Sequence, residues 1–331
     1  MKEVPFKISA RTAKLIGREN FSNPEGAIIE LVKNCYDADA KNCLVVFDIE
    51  FYSAPTNLTT KDYKTYSLNN PIIKAAYKLK GKNYILNNQL KPDQYEITQE
   101  FFFRKNSIYI IDNGHGMTRE VVEDQWMEIG TDNKEIISVS SDGRVLTGAK
   151  GIGRFALDRL GFVSEMWTVS KKTKKGCSWK MNWKQFDEAK KKLSDINAEI
   201  DDITVDLKTF LKKIFTGRNR IITELNKINF QSGTIINISN VKDNWYQNRQ
   251  ENVYKSLEAL VPPKELQIPF KVSFFSIQDM RLYGDVETAF FNDFDYKIEA
   301  VFDSKKLDVK LIITRNELDI KQLKSKFSSL Y

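Results

Sequence analysis

Three stretches of the chain combine residue types that can act together on phosphates. The first is Glu30-Leu31-Val32-Lys33-Asn34-Cys35-Tyr36-Asp37-Ala38 and the second Asp112-Asn113-Gly114-His115-Gly116-Met117. The third is Gly148-Ala149-Lys150-Gly151-Ile152-Gly153. On a helix, Glu30, Asn34 and Asp37 stand at i, i+4 and i+7 and project from one face. An Asn amide oxygen is a hard ligand suited to Mg2+. A carboxylate one turn away can orient and deprotonate a water that attacks phosphorus. A polar helix face is more often only solvated, so this stretch alone decides nothing.

The second stretch shifts that balance. Asp112 ends an apolar, β-branched run, and two glycines two residues apart let the backbone pass close to a ligand. An ionised carboxylate can accept a hydrogen bond from an exocyclic amine such as that of adenine. Asn-Gly is also an ordinary turn signal. Yet Asp-Asn-Gly-x-Gly-Met fixes five residue types, and at about 5% each chance supplies it in about one chain in ten thousand. In the third stretch, the N–H groups of Gly151 to Gly153 ahead of a helix form a nest for phosphate, and Lys150 adds a cation. Gly151-x-Gly153-x-x-Ala156 also fits a dinucleotide fingerprint, but no clean strand precedes it and no acidic residue follows about 20 positions on. A Walker loop, with Gly-Lys-Ser/Thr after four spacers, occurs nowhere.

Several elements must position these residues. Ser22 or Asn23 can cap a helix in which Pro24 and Glu25 suit the first turn, and Ile28, Leu31, Val32 and Cys35 form its apolar stripe. A strand follows at 43–50, and another runs from Ser107 into the glycine turn. A helix is expected over Thr118–Met127, then a polar loop from Gly130 to about Lys150. Strands are expected near 162–170, 177–183 and 233–238. Residues 51–106 read as an insertion with one or two short elements, and 184–229 as a helical hairpin projecting from the fold. From Val241 the composition turns toward β after a helix near 252–260, suggesting a second domain.

The whole chain narrows the class. Its 331 residues allow two domains, and 41% hydrophobic with 29% charged residues is ordinary for a soluble globular protein. No apolar run reaches the roughly 18 residues of a membrane span, and the N-terminus lacks a signal-peptide stretch, so a cytoplasmic protein with no membrane contact is expected. Cys35, Cys43, Cys177 and the single His115 lack the spacing of a zinc site. The net charge of +7 permits an anionic partner. The runs Lys171-Lys172-Thr173-Lys174-Lys175 and Lys190-Lys191-Lys192, near Trp167, Trp179 and Trp183, could touch nucleic acid. Alternating tryptophans in strands are more often core.

The ordered set Glu-x-x-x-Asn, Asp-x-Gly-x-Gly, Gly-x-x-Gly-x-Gly and the later Gly233-Thr234 resembles the GHKL superfamily of gyrase B, ninety-kilodalton heat-shock chaperones, histidine kinases and MutL, over about Pro5 to Asn240. The resemblance implies an α+β fold, the α/β sandwich of that family, with a mixed sheet and helices on one face. It places an ATP-binding domain at 1–240, with the two insertions inside it, and the start of a β-rich, transducer-like domain at 241–331. It implies ATP and Mg2+ as ligands. Glu30 would be the general base and Asn34 the magnesium ligand. Asp112 would bind the adenine amine, with Gly114, Gly116 and Met117 beside the base, Asp37 lining the pocket and Thr234 supporting Asp112. Gly148, Lys150, Gly151, Ile152 and Gly153 would form the lid over the phosphates, Lys150 acting on the terminal ones.

Within the superfamily the chain is most similar to MutL-, MORC- and heat-shock-chaperone-like bacterial ATPases, in which ATP closes the lid and N-terminal segments dock into a homodimer. A nucleic acid or a protein client would be the partner. The one histidine, His115, lies in the glycine turn, so a histidine kinase would need its phosphoacceptor on another chain. Glu30-x-x-Lys33-Asn34 also resembles the mitochondrial dehydrogenase kinases, whose glycine box differs. A protein kinase and a non-hydrolysing ATP sensor therefore stay open as alternatives. The lysine that a transducer domain offers to the terminal phosphate could be Lys264, Lys271 or Lys310.

Overall fold

Asn23 accepts the amide of Gly26 at 2.6 Å, Pro24 occupies the first turn, and helix α2 (Pro24–Asp37) runs from this cap. Ala27, Ile28, Leu31, Val32 and Cys35 bury its apolar side. The computed structural model describes residues 8–19, 21, 23–129, 139–146, 153–262, 269–278, 284–288, 296–303 and 308–315. No helix among them is long and apolar enough to cross a membrane. Helix α1 (Ala10–Glu19) precedes α2, and strand β1 (Asn42–Asp48) follows it with five consecutive buried residues.

Residues 51–106 hold β2 (Asn57–Thr59), α3 (Thr60–Ser67), α4 (Pro71–Ala76), β3 (Tyr77–Lys80), β4 (Asn83–Leu86) and α5 (Pro92–Phe103). The strands form their own sheet in the order β2-β4-β3, over a core that includes Leu58, Ile73, Tyr77 and Phe102. The insertion is therefore a small folded unit and holds more than the one or two elements expected. Asn106 closes its root. The amide oxygen accepts from Glu50 and Phe51 N–H, each at 2.9 Å, and Nδ2 donates to Phe51 O at 2.7 Å.

The main sheet continues with β5 (Ser107–Asp112), β6 (Gly161–Val169), β7 (Gly176–Asn182), β8 (Glu199–Ile203), β9 (Gly233–Val241) and β10 (Lys271–Ser276). Its order is β10-β1-β5-β9-β6-β7-β8, with β1 and β10 parallel and the other neighbours antiparallel. This is a mixed α+β architecture, as the resemblance implies. Alternation sends Cys43, Val45 and Phe47 toward one face. There Cys35 of α2 meets Cys43, and Phe47 packs on Trp245 at 5.0 Å between ring centroids.

On the opposite face Leu44, Val46, Tyr109, Ile111 and Ile235 pack against α8 (Leu207–Ile214) and α9 (Asn219–Lys227) through Leu211, Phe215, Ile221 and Leu225. The helical hairpin expected to project from the fold instead covers the sheet's second face. The helical period at 207–227 reports an apolar stripe, whereas burial is decided by an equally apolar sheet face that needs cover. The sandwich thus has helices on both faces. Residues 199–203 of the same insertion are strand, at the sheet edge.

Helix α7 (Phe155–Leu160) packs on α1 and α2. Its Asp158 is fully buried between Lys14 of α1, at 3.3 Å, and Lys242, at 2.7 Å. This ionic group holds α1 in place, since a buried charge left without a partner is costly.

The chain divides into two compact units, residues 1–257 with 269–286, and residues 258–268 with 287–331. Helix α10 (Gln247–Leu260) lies mostly in the first, and β10 completes that unit's sheet beside β1. The boundary expected at 240 therefore differs from the observed division, because the β-rich composition after 241 begins with a strand of the main sheet. The second unit contains an antiparallel pair, β11 (Tyr296–Asp303) and β12 (Asp308–Arg315).

Leu211 has no exposed surface. Leu211→Ala is expected to cost about 2–5 kcal/mol, read from urea unfolding, whereas Leu68→Ala in the insertion should stay within about 0.5 kcal/mol. Equal costs would mean that α8 contributes nothing to the sheet's second face.

Candidate functional site

The polar face of α2 carries Glu30 and Asn34, both half-buried, and Asp37, buried in the last turn. Gly153 lies directly over it. A Cβ there would stand 3.4 Å from Asn34 Nδ2 and 3.7 Å from Glu30 Oε1. The end of the third stretch thus lies against the first. Gly148, Lys150, Gly151 and Ile152 lie outside the described residues. Lys33 Nζ stands 3.7 Å from Glu30 Oε2, a cation beside the expected base.

The second stretch is held by backbone. Asp112 Oδ1 accepts the amide of Gly114 at 2.8 Å, and His115 N–H donates to Ala38 O at 2.9 Å, tying the turn to the end of α2. A Cβ on Gly114 would fall 2.4 Å from Ala38 O. Gly116 has φ +60°, and a Cβ there would fall 2.0 Å from Val169 O, so any side chain at either position expels the turn. Asn113 turns away from the site and bonds Lys41 and Asn42 N–H at 3.0 and 2.8 Å.

Asp112 is buried, and this desolvation pushes its carboxyl up to about 6. The amide of Gly114, the nearby His115, the Cys35 thiol and the amide of Thr234 oppose the rise. At neutral pH the group is mostly ionised, a desolvated acceptor held by backbone amides and a thiol. Such a group gains from a ligand N–H.

Thr234 lies beside Asp112 across β5 and β9, and Thr168 lies beside Thr234 across β9 and β6. The two hydroxyls are 3.1 Å apart, and Thr168 Oγ1 also accepts the amide of Met117 at 2.9 Å. Thr168 was missed by the sequence reading. It is a buried polar residue near the end of a strand, and only strand register reveals its partners.

Two further anchors surround the site. Asp39, at φ +56°, accepts hydrogen bonds from Ser140 Oγ, from Ser141 Oγ at 2.7 Å and from Asp142 N at 3.2 Å. Burial pushes its carboxyl up, but these bonds outweigh it and hold it below the ordinary value. Residues 139–146, expected as polar loop, are thereby pinned to the end of α2. Arg144 reinforces them, lying over the rings of Tyr36 and Phe270 at 4.8 and 5.7 Å. Arg154, next to Gly153, donates to Trp126 O and to Gln125 O at 3.1 Å, and burial lowers its guanidinium to about 10. Residues 118–127, expected as one α-helix, form a single α turn, α6 (Arg119–Val121), and then a π-helical turn over Val122–Trp126. Arg154 donates to carbonyls in that turn.

No cluster of three or more His, Cys, Asp or Glu among the described residues could hold a metal by itself. Mg2+ is usually bound by one or two protein oxygens together with phosphates and water. Asn34 with Glu30 one turn away fits that donor set. Residues 84–210 match the family described as histidine kinase-, DNA gyrase B-, and HSP90-like ATPase. The matched segment contains the Asp112 turn and the glycines of the third stretch and leaves out Glu30 and Asn34. No curated protein matches the chain.

The raised carboxyl of Asp112 means that folding favours its protonated form, so its contribution to stability improves as pH falls through about 6 toward its unfolded value. Asp112→Asn, scanned by thermal melting, is therefore expected to match or exceed wild-type stability at pH 8. The advantage should shrink below pH 6, while adenine-nucleotide binding is lost. A strong loss of stability at pH 8 would contradict this account of the site.

Proposed function

The chain carries an ATP-binding domain of the GHKL superfamily, and on that premise we propose that it hydrolyses Mg-ATP and uses the cycle to switch between two states of assembly. The close approach of Gly153 to Glu30 and Asn34 carries this reading, because the segment that would cover the phosphates meets the helix that would act on them. Asp112 accepts the adenine amine, with Thr234 and Thr168 fixing that end of the pocket. The Asn34 oxygen would hold Mg2+, and the ion would supply charge neutralisation at the phosphate oxygens. Glu30 orients a water and takes its proton as the water oxygen bonds to the terminal phosphorus. The bond to the bridging oxygen breaks, ADP leaves with that electron pair, and inorganic phosphate is released. Lys150 and the amides of 151–153 stabilise the charge on the transferred group.

By likeness to MutL-, MORC- and heat-shock-chaperone-type ATPases, ATP binding would bring two copies together through the α1 region, in a cytoplasmic setting with a nucleic acid or protein client. Of the lysines considered for the terminal phosphate, Lys271 is already paired with Glu224 and Asp285, at 2.7 and 3.0 Å. Lys310 is exposed on β12, and Lys264 lies outside the described residues.

Phosphate release from Mg-ATP is expected to fall at least about a hundredfold in Glu30→Ala and Glu30→Gln, with nucleotide binding retained. Light scattering with a non-hydrolysable ATP analogue should show a dimer. Unchanged turnover in both variants would remove Glu30 from the role of base. Transfer of labelled phosphate to protein with little free phosphate would instead establish a kinase. Binding with neither turnover nor a change in size would leave an ATP sensor.

A further inference from the structure

Residues 51–106 hold nine Lys or Arg against four Asp or Glu, namely Asp62, Asp93, Glu96 and Glu100. Five of the chain's seven net positive charges thus sit in this one insertion. The pleat of its sheet sorts them. Leu58, Tyr77, Tyr84 and Leu86 belong to the core that the insertion's helices cover. Register then puts Asn57, Ile85 and Lys78 in one row of the other face, and Thr59, Asn83 and Lys80 in the next. Asn57, Thr59, Lys78 and Lys80 are exposed there, and Lys82 extends the rows from the adjoining turn.

We propose that this face docks nucleic acid through its phosphodiester backbone. Lys78 and Lys80 alternate on one strand about 7 Å apart, comparable to the step between successive phosphates. Neither they nor Lys82 form an ion pair among the described residues, and Asn57, Thr59 and Asn83 add neutral hydrogen-bonding groups. The face has no aromatic ring for a base to stack on, so the contact reads phosphates and not sequence. An anionic membrane would require apolar anchors on the face of the cations, where only the half-buried Ile85 is present; the exposed Leu79 pairs with Tyr84 and belongs to the other face by register.

The tryptophans near the basic runs at 171–175 and 190–192 are taken up in packing and offer bases no surface to stack on. Trp179 and Trp183 are buried, and Trp167 packs on Phe210 at 4.9 Å. The proposed face also lies apart from the nucleotide site. The insertion leaves the sheet at the Asp48–Ser107 pair and Asp112 sits at the Cys43 pair, five residues or about 17 Å along the strands.

Fluorescence anisotropy on the intact chain, with duplex DNA, single-stranded DNA and duplex RNA of about 20 nucleotides at several salt concentrations, tests this. Wild type is expected to bind at least one probe with log K falling linearly against log salt. The triple variant Lys78→Gln, Lys80→Gln, Lys82→Gln should lower that slope by about three on a duplex, with melting temperature and ATP binding unchanged. The probe with the greatest loss identifies the kind of nucleic acid. No binding by wild type at about 50 mM salt would overturn the proposal. So would a wild-type slope in the variant, or retention of phosphatidylserine vesicles or polyglutamate in place of nucleic acid.

Discussion

The Ala38 carbonyl accepts the amide of His115 at 2.9 Å and occupies the space that a Cβ on Gly114 would need. Two backbones meet there without an intervening side chain. That contact ties the turn after the carboxylate at the end of β5 to the C-terminal end of α2. The second glycine makes an equally close approach to Val169 and brings in β6, whose Thr168 then reaches both Met117 and Thr234. Helix, turn and three strands are thereby fixed around one point, and each depends on a glycine that cannot be enlarged.

Charge is buried at two places around this point. Asp112 has no cationic ion-pair partner among the described residues and is held by amides and a thiol, so its ionised form is costly in the absence of a ligand. Asp158 is paired on both sides, by Lys14 and Lys242, and fastens the N-terminal helix to the helix that follows Gly153. The first arrangement suits recognition, where a desolvated acceptor gains a further donor on binding. The second suits a mechanical joint, since removing one partner of a buried pair typically costs about 3–5 kcal/mol.

Much of the site was legible in the sequence because its parts are local. The cap at Asn23, the i, i+4, i+7 spacing on α2 and the Asp-Asn-Gly-x-Gly-Met turn each express their geometry within a dozen residues. What escaped depends on distant pairing. Thr168 acquires meaning only when β6 lies beside β9. The stripe on α8 and α9 says that something apolar is buried, but does not say that the sheet's far face receives it. β10 reads as the start of a β-rich second domain until its parallel pairing with β1 is known. The π-helical turn at 122–126 also left no trace in the spacing, because one wider turn hardly changes which residues are apolar.

The clasp at Asn106 has a consequence for how such a chain can diversify. One amide side chain binds both where the chain departs from β1 and where it returns to β5, and Tyr52 adds a hydrogen bond to Trp245 O at 3.0 Å, so the insertion is held by a few contacts at its root. Loop closure grows only slowly with length, and a cassette mounted this way can lengthen, shrink or be exchanged without disturbing the strands that flank it. The nucleotide chemistry and the insertion are therefore free to evolve at different rates, one constrained by backbone contacts that admit no side chain, the other anchored at its root by Asn106 and Tyr52.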